Sequence, residues 1–389
     1  MTDKLYYTDS HISRFTAQVV ECLQTEKGYA IRLDKTAFFP EGGGQAPDTG
    51  YIGEARVLDV QEKGGKILHY TEKALVPGAY DCVLDYEQRL RRMQNHSGEH
   101  IVSGIVNSTF GFDNVGFHMS TGFMTIDFSG ELSWDQLMDI EKRANEAVRE
   151  NIPILQHFPT PGELEKLRYR SKLELTENVR LVEIPGVDIC ACCAPHVLHT
   201  GEIGIIKIFS SERHRGGIRV TLSCGMDALD IIRNMQENVT AISNLLSAKR
   251  DETSAAVERL MAERDDLKFR LAEMENILVS LKVESILETD GNICLFVDFQ
   301  NEAARIELAN LLMPKCGGVT AIFCGSDDEG WKYIIGSRNI NLRENSKRIN
   351  AAIDGRGGGK PEMIMGRASK ARADIEAYFS NAENLCCQQ

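Results

Sequence analysis

No stretch of this 389-residue chain stays apolar for the ~20 residues that a bilayer span requires. Positive charge is also short. Lys and Arg number 44 against 57 Asp and Glu, a formal net charge of −13. That balance argues against non-specific nucleic-acid binding by the whole surface, so a polyanionic partner would need local basic patches. No secretory pattern opens the chain, because Met1-Thr2-Asp3-Lys4 leads straight into polar, aromatic sequence. No Lys-Ser/Thr pair follows Gly42-Gly43-Gly44, which excludes a Walker-type phosphate loop. The 11 cysteines are odd in number, scattered and partly adjacent (Cys192-Cys193, Cys386-Cys387), a pattern of reduced cytoplasmic thiols, some on metal, rather than a disulfide framework. What is present, 42% hydrophobic and 26% charged residues, is ordinary for a globular protein, and the length implies about two to four domains. The expected location is the cytoplasm, with no membrane partner.

Residues 1–90 read as mostly β. Tyr29–Leu33, Ala55–Val60 and Lys66–Tyr70 are short alternating runs separated by turn residues, the pattern of a small barrel or sandwich. Within them, Gly42-Gly43-Gly44 implies unusual backbone angles or the close approach of another group, and Gln45 follows at once. Residues 91–224 are mixed. Thr125–Phe128 reads as a strand, and Ser133 caps an amphipathic helix from Trp134 to Asn151. From about 225 to 285 the sequence is charged helix with apolar residues at sevens (Leu246, Leu260, Leu267, Met274, Leu281), a coiled-coil or helical-hairpin seam. The spacing leaves open whether that seam closes within the chain or across a dimer. Residues 286–389 read as an α/β unit, with strands at Asn292–Phe299, Gly318–Cys324 and Lys332–Gly336 and helices at Glu302–Leu312 and from Ala368. Between Trp331 and Arg372, ten Lys/Arg face three acids, so the acidic chain carries a local surplus of seven positive charges. A glycine-rich loop bearing Arg356 and Lys360 sits in that stretch and can bring backbone N–H groups and cations to phosphates together. The fold class expected is α+β.

His96 and His100, four apart on a helical pattern, share one face and can reach one metal ion, although two ordinary helix-face histidines would show the same spacing. Further ligands come 92 residues later, at Cys192-Cys193-Ala194-Pro195-His196. Three imidazoles and a thiolate suit zinc. Spacing alone leaves Cys190, Cys192 and Cys193 in competition, with His199 a substitute for His196. It also leaves open a structural or a catalytic role. His96-Ser97-Gly98-Glu99-His100 matches the inverted zinc-peptidase pattern as well, but that reading gives the Cys192–His196 pair and the glycine-rich stretches nothing to do. In that pattern the glutamate is the general base, so Glu99 reads either as a proton acceptor near the metal or, as the favoured reading, as a solvated helix glutamate.

Taken together, Asn95-His96-Ser97-x-x-His100, Cys192-x3-His196-Val197-x-x-Thr200-Gly201-Glu202-Ile203-Gly204, Thr36-x-Phe38-Phe39-Pro40-x-Gly42-Gly43-Gly44-Gln45-x-x-Asp48-x-Gly50 and Gly355–Pro361 resemble the alanyl-tRNA editing family. The resemblance is to its freestanding long-form members of the AlaX type, and to the editing and C-terminal domains of alanyl-tRNA synthetase without the aminoacylation domain. It implies a zinc-dependent deacylase acting on tRNA(Ala) mischarged with serine, or with glycine, because a site built for alanine rejects smaller or hydroxylated analogues poorly. It implies one zinc per chain on His96, His100, Cys192 and His196, with Thr36 and Gln45 lining the aminoacyl pocket beside the catalytic His96 and His100. It implies that Arg91, Arg92, Arg215 and Arg219 grip the acceptor stem, and that Arg356 and Lys360 serve a C-terminal tRNA-binding domain. The helical and C-terminal regions are the candidate faces for a homodimer. Threonyl-type editing and a zinc-stabilised tRNA-binding module without catalysis are the alternatives.

Overall fold

The structure, a computed structural model, describes residues 2–26, 28–120, 122–171 and 179–381. Lys172 and Asn178, whose sequence surroundings suggest a basic edge (Lys166 to Lys172) and a strand (Asn178 to Ile184), and Cys386-Cys387 lie outside the described residues. The chain is mixed α+β and divides into two compact units, Met1–Ala241 and Ile242–Gln389. Boundaries expected near residues 90 and 224 fall inside the first unit, and the one near 285 falls inside the second.

The first unit begins with β1 (Asp3–Lys4), β2 (Arg14–Thr25), β3 (Gly28–Leu33), β4 (Lys35–Thr36), β5 (Gly50–Ile52), β6 (Ala55–Lys63), β7 (Lys66–Thr71) and β8 (Gly78–Leu84). Six of them close a barrel in the order β2-β3-β7-β6-β5-β8, and β1 pairs with β4 alongside. Alternation places Ala17, Val19, Ile31, Leu33, Ile52, Val57, Val60, Ile67 and Leu84 inside, where they pack with Phe38 and Phe39.

The barrel leads into α1 (Tyr86–Phe110), which is buried at every position from Met93 to Val106. A helix enclosed on all sides cannot be amphipathic; it is the spine of the core. Glycines make the enclosure close. A methyl at Gly98 would strike Cys224, and one at Gly104 would stand 2.6 Å from the Val187 carbonyl. Around the spine lie β9 (Asn114–Met119), β10 (Met124–Phe128), α2 (Trp134–Glu150), β11 (Leu155–His157), α3 (Pro161–Leu164), β12 (Leu181–Ile184), β13 (Asp188–Ala191), β14 (Ile206–His214) and β15 (Gly217–Cys224). They form a four-stranded sheet, β14-β15-β10-β9, and a three-stranded one, β11-β12-β13. Ser133 caps α2 in a reciprocal box with Gln136, as its sequence indicates.

Helix α4 (Gly225–Leu245) follows, then α5 (Thr253–Ser285). The apolar residues at sevens on α5 are exposed, Leu260 at 52%, Leu267 at 54%, Met274 at 62% and Leu281 at 56%. The seam read from the spacing is therefore not buried among the described residues.

In the second unit, β16 (Ile293–Phe296), α6 (Glu302–Leu312), β17 (Thr320–Ser326), β18 (Gly330–Gly336), α7 (Leu342–Ala352), β19 (Gly355–Gly359), β20 (Met363–Ala368) and α8 (Arg372–Ser380) build a sheet ordered β16-β17-β18-β20-β19. The glycine-rich stretch is thus an edge strand rather than a loop. Its glycines allow this pairing because a side chain at Gly357 would collide with Gly366 and the Tyr333 hydroxyl of the neighbouring strands. No helix among the described residues is long and apolar enough to cross a membrane.

Candidate metal centre

The first pair of histidines comes from the buried part of α1, and the Cys192–His196 segment follows β13. Side-chain donor atoms of His96, His100, Cys192 and His196 all lie within 4.8 Å of one another. Each ring is oriented by a bond at Nδ1. The Nδ1 of His96 meets the Gln45 carboxamide oxygen at 3.1 Å, that of His100 meets the Asp188 carboxylate at 3.1 Å, and that of His196 meets Ser97 Oγ at 3.0 Å. A carbonyl or carboxylate oxygen can only accept, so Nδ1 of His96 and of His100 carries the proton and Nε2 is left with a lone pair. Nε2 of His96 and of His196 lies 3.5 and 3.4 Å from Cys192 Sγ. Three imidazole nitrogens and one sulfur converge on a common point, a donor set that fits a tetrahedral cation.

The electrostatics agree. Burial would raise the Cys192 thiol, but His96, His196 and hydrogen bonds from His100 and His196 pull it well below its ordinary value, toward the thiolate that a metal needs. Burial drives His196 down to about 3, which keeps its ring neutral. Asp188 would rise on burial, yet bonds from Arg170 and His100 hold it ionised. Arg170 reaches both its oxygens, at 2.7 and 2.8 Å. Arg180 donates to the Cys192 and Ala194 carbonyls, both at 2.8 Å, and so fixes the loop that carries the sulfur.

The glycine run supports the same site from the barrel side. Gly42 and Gln45 exchange backbone hydrogen bonds of 3.1 and 3.0 Å across a tight turn. The two central residues, Gly43 and Gly44, have φ of +61° and +80°, which side-chain-bearing residues resist. The turn aims Gln45 at His96. It also lets Phe117 pack on Gly44, where a methyl would stand 2.7 Å from the ring.

A cavity of about 990 Å³ opens on the cluster, lined among others by Tyr7, Gly43, His96, Glu99, Phe117 and Arg180. Thr36 and Gln45, 0% and 1% exposed, are not among the residues that line it. The Thr36 hydroxyl instead bonds His69 Nε2 at 2.8 Å and accepts from the Phe38 amide at 3.1 Å. His69 Nδ1 donates to the Ile31 carbonyl at 3.0 Å, so its Nε2 must accept from Thr36. Burial holds His69 neutral, down to about 4.

Of the competing ligands, Cys190 faces His100 and Asp188, Cys193 is exposed beside Gly43, and His199 is 49% exposed and outside the cluster. Glu99 is not a solvated helix residue: it is 5% exposed, because the rest of α1 is enclosed with it. Burial would raise its pKa, but His100, Arg170, His96 and the Ser103 hydrogen bond outweigh that and lower it.

The arginines expected at the acceptor stem divide. Arg91 is committed to Asp227, Asp230 and Glu87, and Arg219 to Asp127 through bonds of 2.7 and 2.8 Å. Arg92 is mostly buried and donates to the Pro47 carbonyl. Arg89 is sealed in the interior on Asp48 and the Ser10 and Ala37 carbonyls, where it ties the barrel to α1. Arg215 is exposed at the β14–β15 turn, while Arg356 and Lys360 are exposed in and beside β19. Sequence reading did not assign the orienting roles of Asp188, Ser97 and Gln45, the cavity residues Tyr7, Phe117 and Arg180, or Asn114. Gln45 and Ser97 stand inside the quoted motifs, and Asp188 stands four residues before Cys192. Asn114 carries no sequence signal.

Residues 179–220 match the family described as the threonyl and alanyl tRNA synthetase second additional domain. The chain is similar to the alanyl-tRNA editing protein AlaX-L of Pyrococcus horikoshii, at 25% identity over 96% of each chain. It is similar to the alanyl-tRNA editing protein Aarsd1-A of Xenopus laevis, at 28% identity over 91% of this chain and 89% of that one. Against the alanine–tRNA ligase of Natronomonas pharaonis identity is 32% over 72% of this chain, which spans 32% of the ligase.

Proposed function

This chain is a relative of the freestanding alanyl-tRNA editing proteins, and from that premise we propose that it hydrolyses the ester joining serine, or glycine, to tRNA(Ala). The observation that carries the reading is the convergence of three Nε2 atoms and the Cys192 sulfur at the floor of the cavity, each ring held by its own Nδ1 partner. His96, His100, Cys192 and His196 would hold zinc, which supplies positive charge beside the ester.

The chain's own residues do the rest. Gln45, Asp188 and Ser97 keep the imidazoles in register. Phe117 and the Gly43-Gly44 turn wall the cavity on the side of the barrel. Thr36 serves from behind that wall: its hydroxyl, bonded to His69, takes the Phe38 amide and so sets the strand that enters the glycine turn. Arg180 lines the cavity with its guanidinium over the Tyr7 ring, and one of its nitrogens is buried without a hydrogen-bond partner among the described residues.

In the second unit, Lys332, Arg367 and Arg356 stand in register on three adjacent strands. Like charges directly opposite one another are unfavourable, and none of the three has an ion pair among the described residues, so the row fits a polyanion. We read residues 286–389 as the tRNA-binding part, 91–224 as the editing part, and Arg215, Arg356 and Lys360 as phosphate contacts. Arg91, Arg92 and Arg219 are left to positioning. The test is metal analysis and deacylation by the purified full chain. About one zinc per chain and hydrolysis of seryl-tRNA(Ala), with alanyl-tRNA(Ala) spared, are the expected results. Zinc bound without any deacylation would favour a non-catalytic tRNA-binding module, and cleavage of misacylated tRNA(Thr) alone a threonyl-type editor.

A further inference from the structure

Glu99 is a buried carboxylate that metal binding does not use. It lies on α1 between His96 and His100 and lines the same cavity. Its donor atoms fall outside the four-residue cluster of mutual neighbours, so it stands beside the metal position rather than in it. One oxygen is fully engaged: Oε1 accepts from the Ser103 hydroxyl at 2.5 Å and from the Asn114 amide at 2.6 Å. Those two bonds fix the plane of the carboxyl group. The other oxygen, Oε2, has no hydrogen-bond donor among the described residues. It lies 3.8 Å from His100 Nε2, the nitrogen that the Asp188 bond leaves free for metal.

The cost of this arrangement argues for use. A carboxylate 5% exposed loses most of its hydration, and a neutral glutamine would accept the same two bonds at Oε1. What only the carboxylate offers is a second acceptor at Oε2, on a residue that lines the cavity and 3.8 Å from His100 Nε2.

We propose that Glu99 is the proton acceptor for the water that attacks the aminoacyl ester, an inference that rests on the deacylase reading above. The water oxygen bonds to the ester carbonyl carbon as its proton passes to Oε2. The bond from that carbon to the ribose oxygen then breaks, and the proton on Glu99 passes to the departing ribose oxygen. Serine leaves as the free acid, the tRNA regains its terminal hydroxyl, and Glu99 returns to its starting state. Ser103 and Asn114 are positioning residues that act through Glu99.

The experiment compares wild type, Glu99→Gln and Glu99→Ala as full chains. It measures kcat and KM on seryl-tRNA(Ala), metal per chain, and affinity for a non-hydrolysable seryl-amide analogue of the tRNA 3′ adenosine. In Glu99→Gln, kcat should fall about 10²- to 10⁴-fold, with KM, metal content and analogue affinity unchanged. Added formate should restore part of the rate to Glu99→Ala, because a small carboxylate can enter the vacated space. Glu99→Gln turnover equal to wild type, or a loss of rate that tracks loss of metal or of analogue binding, would overturn the assignment. A wild-type protein silent on seryl-tRNA(Ala) would overturn the deacylase reading and the proposal together, and is told apart because the failure is in the wild type itself.

Discussion

The two units handle polar groups in opposite ways. Around the histidine cluster of the first unit, each imidazole and its support has an assigned partner: Gln45 for His96, Asp188 for His100, Ser97 for His196, Arg170 for Asp188. On the sheet of the second unit, Lys332, Arg367 and Arg356 stand side by side with no ion pair among the described residues. A site for chemistry needs rings held in one orientation, so its charges are spent inside the protein. A surface for a polyanion needs charges left free. The net charge of −13 hides that division, because most of the first unit's arginines are already neutralised by acids distant in sequence.

Substitutions in both units challenge that division, in descending order of effect. Asp48→Ala leaves Arg89 charged and buried at the joint between barrel and α1, and should cost about 3–5 kcal/mol, read as a fall in the thermal midpoint of the first unit. His69 gives the next effect and a pH signature. Its folded pKa, about 4, lies below its unfolded value, so the unfolded chain takes up a proton first as pH falls. Stability is therefore full above about pH 6.5 and should drop by roughly 3 kcal/mol as pH falls toward 4. A His69→Gln variant should lose that part of the slope in urea unfolding across the same window. Asp188→Asn weakens the orientation of His100, and should lower metal affinity about 10- to 100-fold in a chelator competition while leaving tRNA affinity intact. In the second unit, neutralising Lys332, Arg356 and Arg367 should weaken tRNA binding without changing metal content. The slope of log affinity against log salt should shrink by about 0.9 for each phosphate no longer neutralised. Arg219→Ala should change that affinity least, because its guanidinium already belongs to Asp127; a large loss there would erase the distinction between committed and free cations.

Much of the frame was legible because local patterns set it. Alternation marked β3, β6 and β7, and the Ser133 cap marked the start of α2. The spacing of His96 with His100, and of Cys192 with His196, marked a candidate metal site, and the four side chains do converge. What stayed hidden was tertiary. The motif offers Glu99 as a proton acceptor or a solvated helix glutamate, and only the enclosure of α1 on all sides shows it buried. Nothing local shows that Arg91 will meet Asp227 and Asp230, well over a hundred residues away. The two glycine-rich stretches have different fates: Gly43 and Gly44 take left-handed angles in a turn, whereas Gly355–Gly359 lies extended where side chains would collide. The apolar residues at sevens on α5 gave a period without a partner, since a heptad states that a face can be buried and not what buries it.

The convergence of His96, His100, Cys192 and His196 is the central feature, and metal-edge X-ray absorption of the zinc-loaded chain tests it most directly. One sulfur at about 2.3 Å and three imidazole nitrogens at about 2.0–2.1 Å are predicted, with the sulfur lost in Cys192→Ala. Two or more sulfurs around the metal, drawn from Cys190 or Cys193, would contradict it.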